Sequence, residues 1–135
     1  MSSRPEHALD IRVRYCECDP MGVAHHSVYP VWFEMGRTEL LRAQGGNYRD
    51  LEAAGIFLAV VSLSVKYKRP AKYDDTLTLV TILDDVGHVK IEHSYRLERD
   101  GEVLATAETT LACLNRDGRA QPLPDLLRGA IAGHA

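Results

Sequence analysis

The 135 residues are enough for a single domain with its own core. Apolar residues make up 45% and charged residues 26%, and the formal net charge of -3 supplies no overall basic field that would draw nucleic acid. No run of about 18 apolar residues offers membrane insertion, and the opening MSSRPEHALD lacks the apolar core of a secretion signal, so the expected compartment is the cytoplasm.

Residues 1–8 read as a flexible lead-in, and residues 9–135 as one domain. Ile11, Val13 and Tyr15 alternate with Arg12 and Arg14, which predicts a strand from Ile11 to about Cys16. Cys18-Asp19-Pro20-Met21-Gly22 then breaks regular structure. From Ser27 to Ala43, Val28, Val31, Trp32 and Met35 recur at helical steps, and Phe33, Leu40 and Leu41 widen the apolar surface. The pattern predicts a long, largely buried helix ended by Gly45-Gly46. A short helical piece follows at Tyr48 to Ala54.

After Gly55 the chain reads mostly as strand. Phe57 to Tyr67 alternates through Phe57, Ala59, Val61, Leu63 and Val65, and Thr76 to Leu83 is rich in β-branched residues. Asp84-Asp85-Val86-Gly87 is expected to turn the chain into a strand through Val89, Ile91, His93, Tyr95 and Leu97. Asp100-Gly101 is a hairpin signal, and Val103 to Asn115 makes the longest strand. The tail after Pro122-Leu123-Pro124 predicts a short amphipathic segment ending near Ala132. Consecutive strands with one long apolar helix specify the α+β class: a curved antiparallel sheet of about five strands wrapped around a central helix.

The chemistry concentrates at the strand-to-helix junction, where residues 15–29 hold two carboxylates, two histidines and two tyrosines. Asp19-Pro20 suits a helix N-cap followed by proline at the first helical position, and Asp19 equally suits a reactive carboxylate. Glu17 reads as a neighbour that tunes or orients Asp19 or, the favoured reading, as a solvated strand residue, and His25 reads as a hydrogen-bonded junction residue. Gly22 would permit an unusual backbone angle and close approach of a substrate. Glu34 and Arg37, three apart, read as a buried ion pair. Lys66, Lys68, Arg69 and Lys72 form a local basic cluster able to meet phosphates. Cys16-x-Cys18 and the distant Cys113 lack structural-zinc spacing, so reduced thiols and no metal are expected.

The pattern Tyr15-x-Glu17-x-Asp19-x-x-Gly22-Val23-x-x-His26-x-x-Tyr29, followed by Glu34-x-x-Arg37, resembles the acyl-CoA thioesterases of the 4-hydroxybenzoyl-CoA thioesterase superfamily. It looks closest to the YbgC-type branch found in bacterial Tol-Pal gene clusters. The resemblance continues through Val65-Lys66-Tyr67-x-x-Pro70-Ala71-x-Tyr73-Asp74-Asp75 and covers roughly residues 9 to 127.

The resemblance implies the hotdog fold and hydrolysis of an acyl-CoA thioester to a free carboxylic acid and CoA. It implies Asp19 as the catalytic carboxylate, acting as nucleophile or general base. His26 marks the helix start, where a backbone N–H polarises the thioester carbonyl. His26, where the 4-hydroxybenzoyl-CoA enzymes carry Tyr, argues against 4-hydroxybenzoyl-CoA as the substrate. Gly22, Val23, Tyr29, Lys68 and Arg69 are the candidate substrate-binding residues. No cofactor is implied beyond the CoA of the substrate, although an acyl carrier protein could present the acyl group instead. A homodimer or homotetramer with its sites at the dimer interface is expected. A hotdog dehydratase or hydratase, or a non-catalytic acyl-CoA binding module, would share the fold.

Overall fold

The computed structural model describes residues 4–125 and residue 127. Strand β1 (Glu6–Arg12) is followed by two single-turn 3-10 segments, Tyr15–Glu17 and His26–Val28. Helix α1 (Tyr29–Ala43) and helix α2 (Tyr48–Ala53) come next, then β2 (Phe57–Tyr67), β3 (Thr76–Val86), β4 (Lys90–Arg99) and β5 (Glu102–Leu114). The strands form one antiparallel sheet in the order β1-β3-β4-β5-β2.

The α+β class, five strands and one long helix agree with the pattern of the sequence. The curved sheet wrapped around the helix does not. Strands β1 and β2 are both free edges, so the sheet is open, and α1 lies against one face, packed on β1 and β3. The reason is dimensional. Five strands about 4.8 Å apart span roughly 19 Å, whereas a helix with its side chains is about 10 Å across. One helix therefore covers about half of the sheet. Its buried stripe is Tyr29, Trp32, Phe33, Gly36, Arg37, Leu40 and Leu41. Val31 and Met35 on α1 stay 51% and 42% exposed, and Val60 and Leu63 on β2 stay 48% and 42% exposed.

Three local expectations also shift. Strand β1 begins at Glu6 and ends at Arg12, because its partners on β3 run from Ile82 to Thr76. The alternation through Phe57 and Val65 is interrupted by a bulge between Val60 and Ser62. As a result Leu58 and Val60, then Leu63, Val65 and Tyr67, stand opposite the buried face of β5. The chain does not turn at Asp84-Asp85. A bulge lets β3 run on to Val86, and the turn closes with Gly87 N–H donating to the Lys90 carbonyl at 2.7 Å. The expected amphipathic tail segment falls mainly outside the described residues, but Leu123 and Leu127 are buried in the second of two apolar clusters.

The first cluster joins Trp32 and Phe33 of α1 to Leu77, Leu79, Leu97, Leu104 and Ala105 beneath the start of the helix. Gly36 lets the helix settle onto the sheet: a Cβ there would meet the Thr81 side chain and stand 2.8 Å from Leu79 Cδ2. The expected Glu34–Arg37 pair does not form. Glu34 is exposed, and the 7%-exposed Arg37 points under the helix, where Nη1 donates to Tyr95 Oη at 3.1 Å. Water solvates the Glu34 carboxylate more cheaply than a desolvated pair would.

Candidate active site

Asp19 stands on a tight hairpin. Cys18 and Ala24 form an antiparallel bridge, Asp19 N–H donates to the Val23 carbonyl at 2.9 Å, and Gly22 N–H donates to the Asp19 carbonyl at 3.0 Å. The turn demands a positive φ, which Gly22 supplies at 78°. The hairpin is pinned to the loop before β3: Val23 pairs with Lys72, Tyr73 N–H donates to the Gly22 carbonyl, and Ala24 N–H donates to the Ala71 carbonyl. That loop is fixed in turn by Arg99, whose Nη1 lies 2.7 Å from the Asp75 carboxylate.

Asp19 is not the helix cap that Asp-Pro suggested. Its Oδ1 accepts the Met21 N–H at 2.8 Å, within its own turn. The 3-10 segment ahead of α1 is capped by His25, whose Nδ1 accepts the Ser27 N–H at 3.2 Å. This satisfies the donor that would otherwise be orphaned there. The Val28 N–H reaches the His25 carbonyl at 3.0 Å. The first donor of this turn, the His26 backbone N–H, makes no hydrogen bond to backbone or side chain among the described residues. Pro20 does not open the helix either; the proline in the first turn of α1 is Pro30.

A cleft of about 280 Å³ opens at this helix start, lined by Ala24, His26, Tyr29, Tyr67, Lys68, Arg69 and Pro70. Tyr29 forms its buried floor, 3% exposed, and burial raises its hydroxyl pKa above the ordinary value. The Tyr67 ring meets Tyr29 edge to face with centroids 4.9 Å apart, and its hydroxyl donates to the His26 carbonyl at 3.1 Å. The cleft thus gathers four of the residues that the sequence singled out: His26, Tyr29, Lys68 and Arg69. Asp19, Gly22 and Val23 belong to the neighbouring hairpin and do not line it.

The basic cluster divides. Lys68 and Arg69 border the cleft, and Arg69 also pairs with Glu102 at 3.1 Å. Lys66 borders a separate concavity of about 520 Å³, with Ser94, Arg96 and Glu108. Strand alternation sends Lys66 and Tyr67 to opposite faces. Among the described residues, no three His, Cys, Asp or Glu side chains gather as a metal-binding group.

Two residues take positions that their local sequence did not signal. Tyr67 reaches His26 across 41 positions, so only the packing of β2 beside the helix start joins them. Glu17 is 6% exposed, not solvated, and its carboxylate accepts from Arg14 N at 2.8 Å, Arg14 Nη2 at 3.2 Å and Trp32 Nε1 at 3.1 Å. Burial pushes its carboxyl upward, but the bonds from Arg14 and Trp32 outweigh burial and hold the pKa below the ordinary value.

Residues 13–131 match the model of the thioesterase-like superfamily. YneP of Bacillus subtilis strain 168 is 34% identical over 80% of this chain and 79% of its own length. The acyl-CoA thioesterase YbgC of Haemophilus influenzae is 32% identical over 86% of this chain and 85% of its own. Among solved structures, protein TT1821 of Thermus thermophilus superposes with a TM-score of 0.89 at 35% identity, over 96% of this chain and 98% of its own. The open sheet with α1 across one face is therefore that of a hotdog-fold thioester hydrolase, and the chain belongs to the thioesterase-like superfamily, close to its YbgC members.

Proposed function

We propose that this chain hydrolyses an acyl-CoA thioester to a carboxylic acid and CoA, with Asp19 as nucleophile or general base and the start of α1 as the oxyanion site. The observation that carries the reading is the His26 N–H, left without an acceptor beside the cleft that His26 and Tyr67 border. A thioester carbonyl placed there would receive this donor, and one such donor is typically worth about 3–4 kcal/mol in the transition state. The Haemophilus relative carries the name acyl-CoA thioesterase, in line with that substrate class.

Asp19 keeps one of its carboxylate oxygens on Met21 N–H, which orients it and leaves the other for attack on the carbonyl or on water. The thiolate departs without a strong general acid. Lys68 and Arg69 at the cleft rim suit the phosphates of CoA. Asp19 stands on the adjoining hairpin and does not line the cleft, so the reading has a second subunit complete the site between that hairpin and the helix start. The exposed apolar side chains of β2 and α1 supply a surface for such a dimer.

The test is release of free thiol from a panel of acyl-CoAs, with Asp19→Asn alongside and sedimentation run on the same samples. Thiol should be released by a dimer or tetramer, and kcat should drop at least about a hundredfold in Asp19→Asn. No release from any acyl chain, or a fully active Asp19→Asn, refutes the assignment. Hydration of an enoyl-CoA without thiol release would select a hydratase instead.

A further inference from the structure

We infer that Glu17 is a positioning residue: its side chain, held between Arg14 and Trp32, and its carbonyl, bound to His25, set where the Asp19 turn stands relative to the start of α1. The inference rests on the roles proposed above for Asp19 and the helix start.

Glu17 does not line the cleft and touches no candidate reacting atom, so it acts through its neighbours. Toward the helix, its carboxylate accepts from Trp32 Nε1 at 3.1 Å, and Trp32 is 1% exposed in the core. Toward the loop, it accepts from Arg14 N and Arg14 Nη2 at 2.8 and 3.2 Å. Its own carbonyl receives the His25 N–H at 2.9 Å, and His25 in turn caps Ser27. One residue later Cys18 pairs with Ala24, and two residues later comes Asp19. Glu17 thus joins the second turn of α1, the cap ahead of α1 and the Asp19 hairpin.

A buried carboxylate is a poor choice for stability alone, since an apolar side chain of similar volume often serves as well or better. What the carboxylate adds is direction: three donors in fixed places hold it, where an apolar side chain could slide. Direction matters here because a shift of about 1 Å in a reacting group can cost on the order of a hundredfold in rate.

The experiment compares wild type, Glu17→Gln, Trp32→Phe and the double variant in steady-state thiol release, each checked for a cooperative unfolding transition. The expected result is a fall in kcat of about tenfold to a hundredfold in each, with KM within about twofold and the double variant no worse than the worse single. Hydrogen–deuterium exchange should rise in peptides spanning residues 18–25 and stay unchanged in β4 and β5. Should Glu17→Gln or Trp32→Phe fail to fold, Arg14→Ala removes only the exposed Nη2 arm and should still lower kcat several-fold. Unchanged kcat in folded variants, a loss confined to KM, unchanged exchange at 18–25 or multiplicative losses in the double variant would each overturn the inference. An inactive Asp19→Asn beside wild-type rates in the Glu17 and Trp32 variants removes the positioning role alone. A fully active Asp19→Asn removes the reading beneath it as well.

Discussion

Arg37 on α1 and Tyr95 on β4 meet beneath the helix, with Nη1 3.1 Å from the tyrosine hydroxyl. Tyr95 also shares a hydrogen bond with Thr109 on β5. Both residues are buried, and no carboxylate among the described residues pairs with Arg37. The helix is thus tied to the sheet by a polar link inside an apolar layer.

Removing the hydroxyl should expose the cost of that link. Tyr95→Phe leaves a guanidinium donor and the Thr109 hydroxyl without this partner, while ring packing against Phe33 persists. The expected loss is about 1–3 kcal/mol. It should be read as a lower urea midpoint at unchanged m-value. A midpoint equal to wild type would show that the link is energetically idle.

Gly36→Ala sets two effects against each other. Alanine in a helix interior is favoured over glycine by about 1 kcal/mol. Here the new methyl would run into Thr81 and crowd Leu79, and overpacking of this kind costs about 1–3 kcal/mol. Net destabilisation is expected. The Thr81 hydroxyl has no partner, so Thr81→Ala should cost little by itself and should recover part of the Gly36→Ala loss. Thermal unfolding of the two single variants and the double variant checks both statements.

His93 predicts a pH dependence. Burial, then the nearby Arg37 charge, push its pKa down to about 3. An unfolded histidine titrates near 6.5. Between those values the unfolded chain takes up a proton that the folded chain refuses. This contribution to stability is therefore complete above about pH 6.5 and is lost as the pH falls toward about 3, by up to about 4–5 kcal/mol across the whole window. Urea titrations from pH 7.5 to 4.5 should show a steeper loss for wild type than for His93→Leu. Parallel curves would place the His93 pKa near the unfolded value.

Tyr67→Phe removes the hydroxyl that holds the His26 carbonyl and keeps the ring against Tyr29. A hydrogen bond of this kind is worth about 0.5–1.5 kcal/mol, so kcat/KM for an acyl-CoA should fall roughly twofold to tenfold. The melting temperature should move little, because Tyr67 is half exposed. Wild-type kinetics would detach Tyr67 from the site.

Much of the fold was legible because its signals are local. The helix from Tyr29 to Ala43 and the strand from Phe57 to Tyr67 declare themselves through side-chain periodicity, and Asp100-Gly101 through its turn chemistry, with Asp100 and Gly101 both at positive φ. The bulge after Val60 was hidden, since nothing in the alternation marks where a partner strand slips by one residue. Glu17 was misread for a related reason. A carboxylate beside Arg14 looks solvated until Trp32, 15 residues on, is packed against it.

The sequence by itself determined the class of the fold, the junction where carboxylates and histidines gather, and the family to which the chain belongs, because each follows from residue types at short spacing. Only the tertiary structure decided that the sheet stays open, that Arg37 turns to Tyr95 and not to Glu34, and that His25 caps the 3-10 turn ahead of α1 while Asp19 caps no helix. These outcomes depend on which surfaces one helix can cover and which buried groups find partners across the sheet. Sequence spacing does not contain those distances.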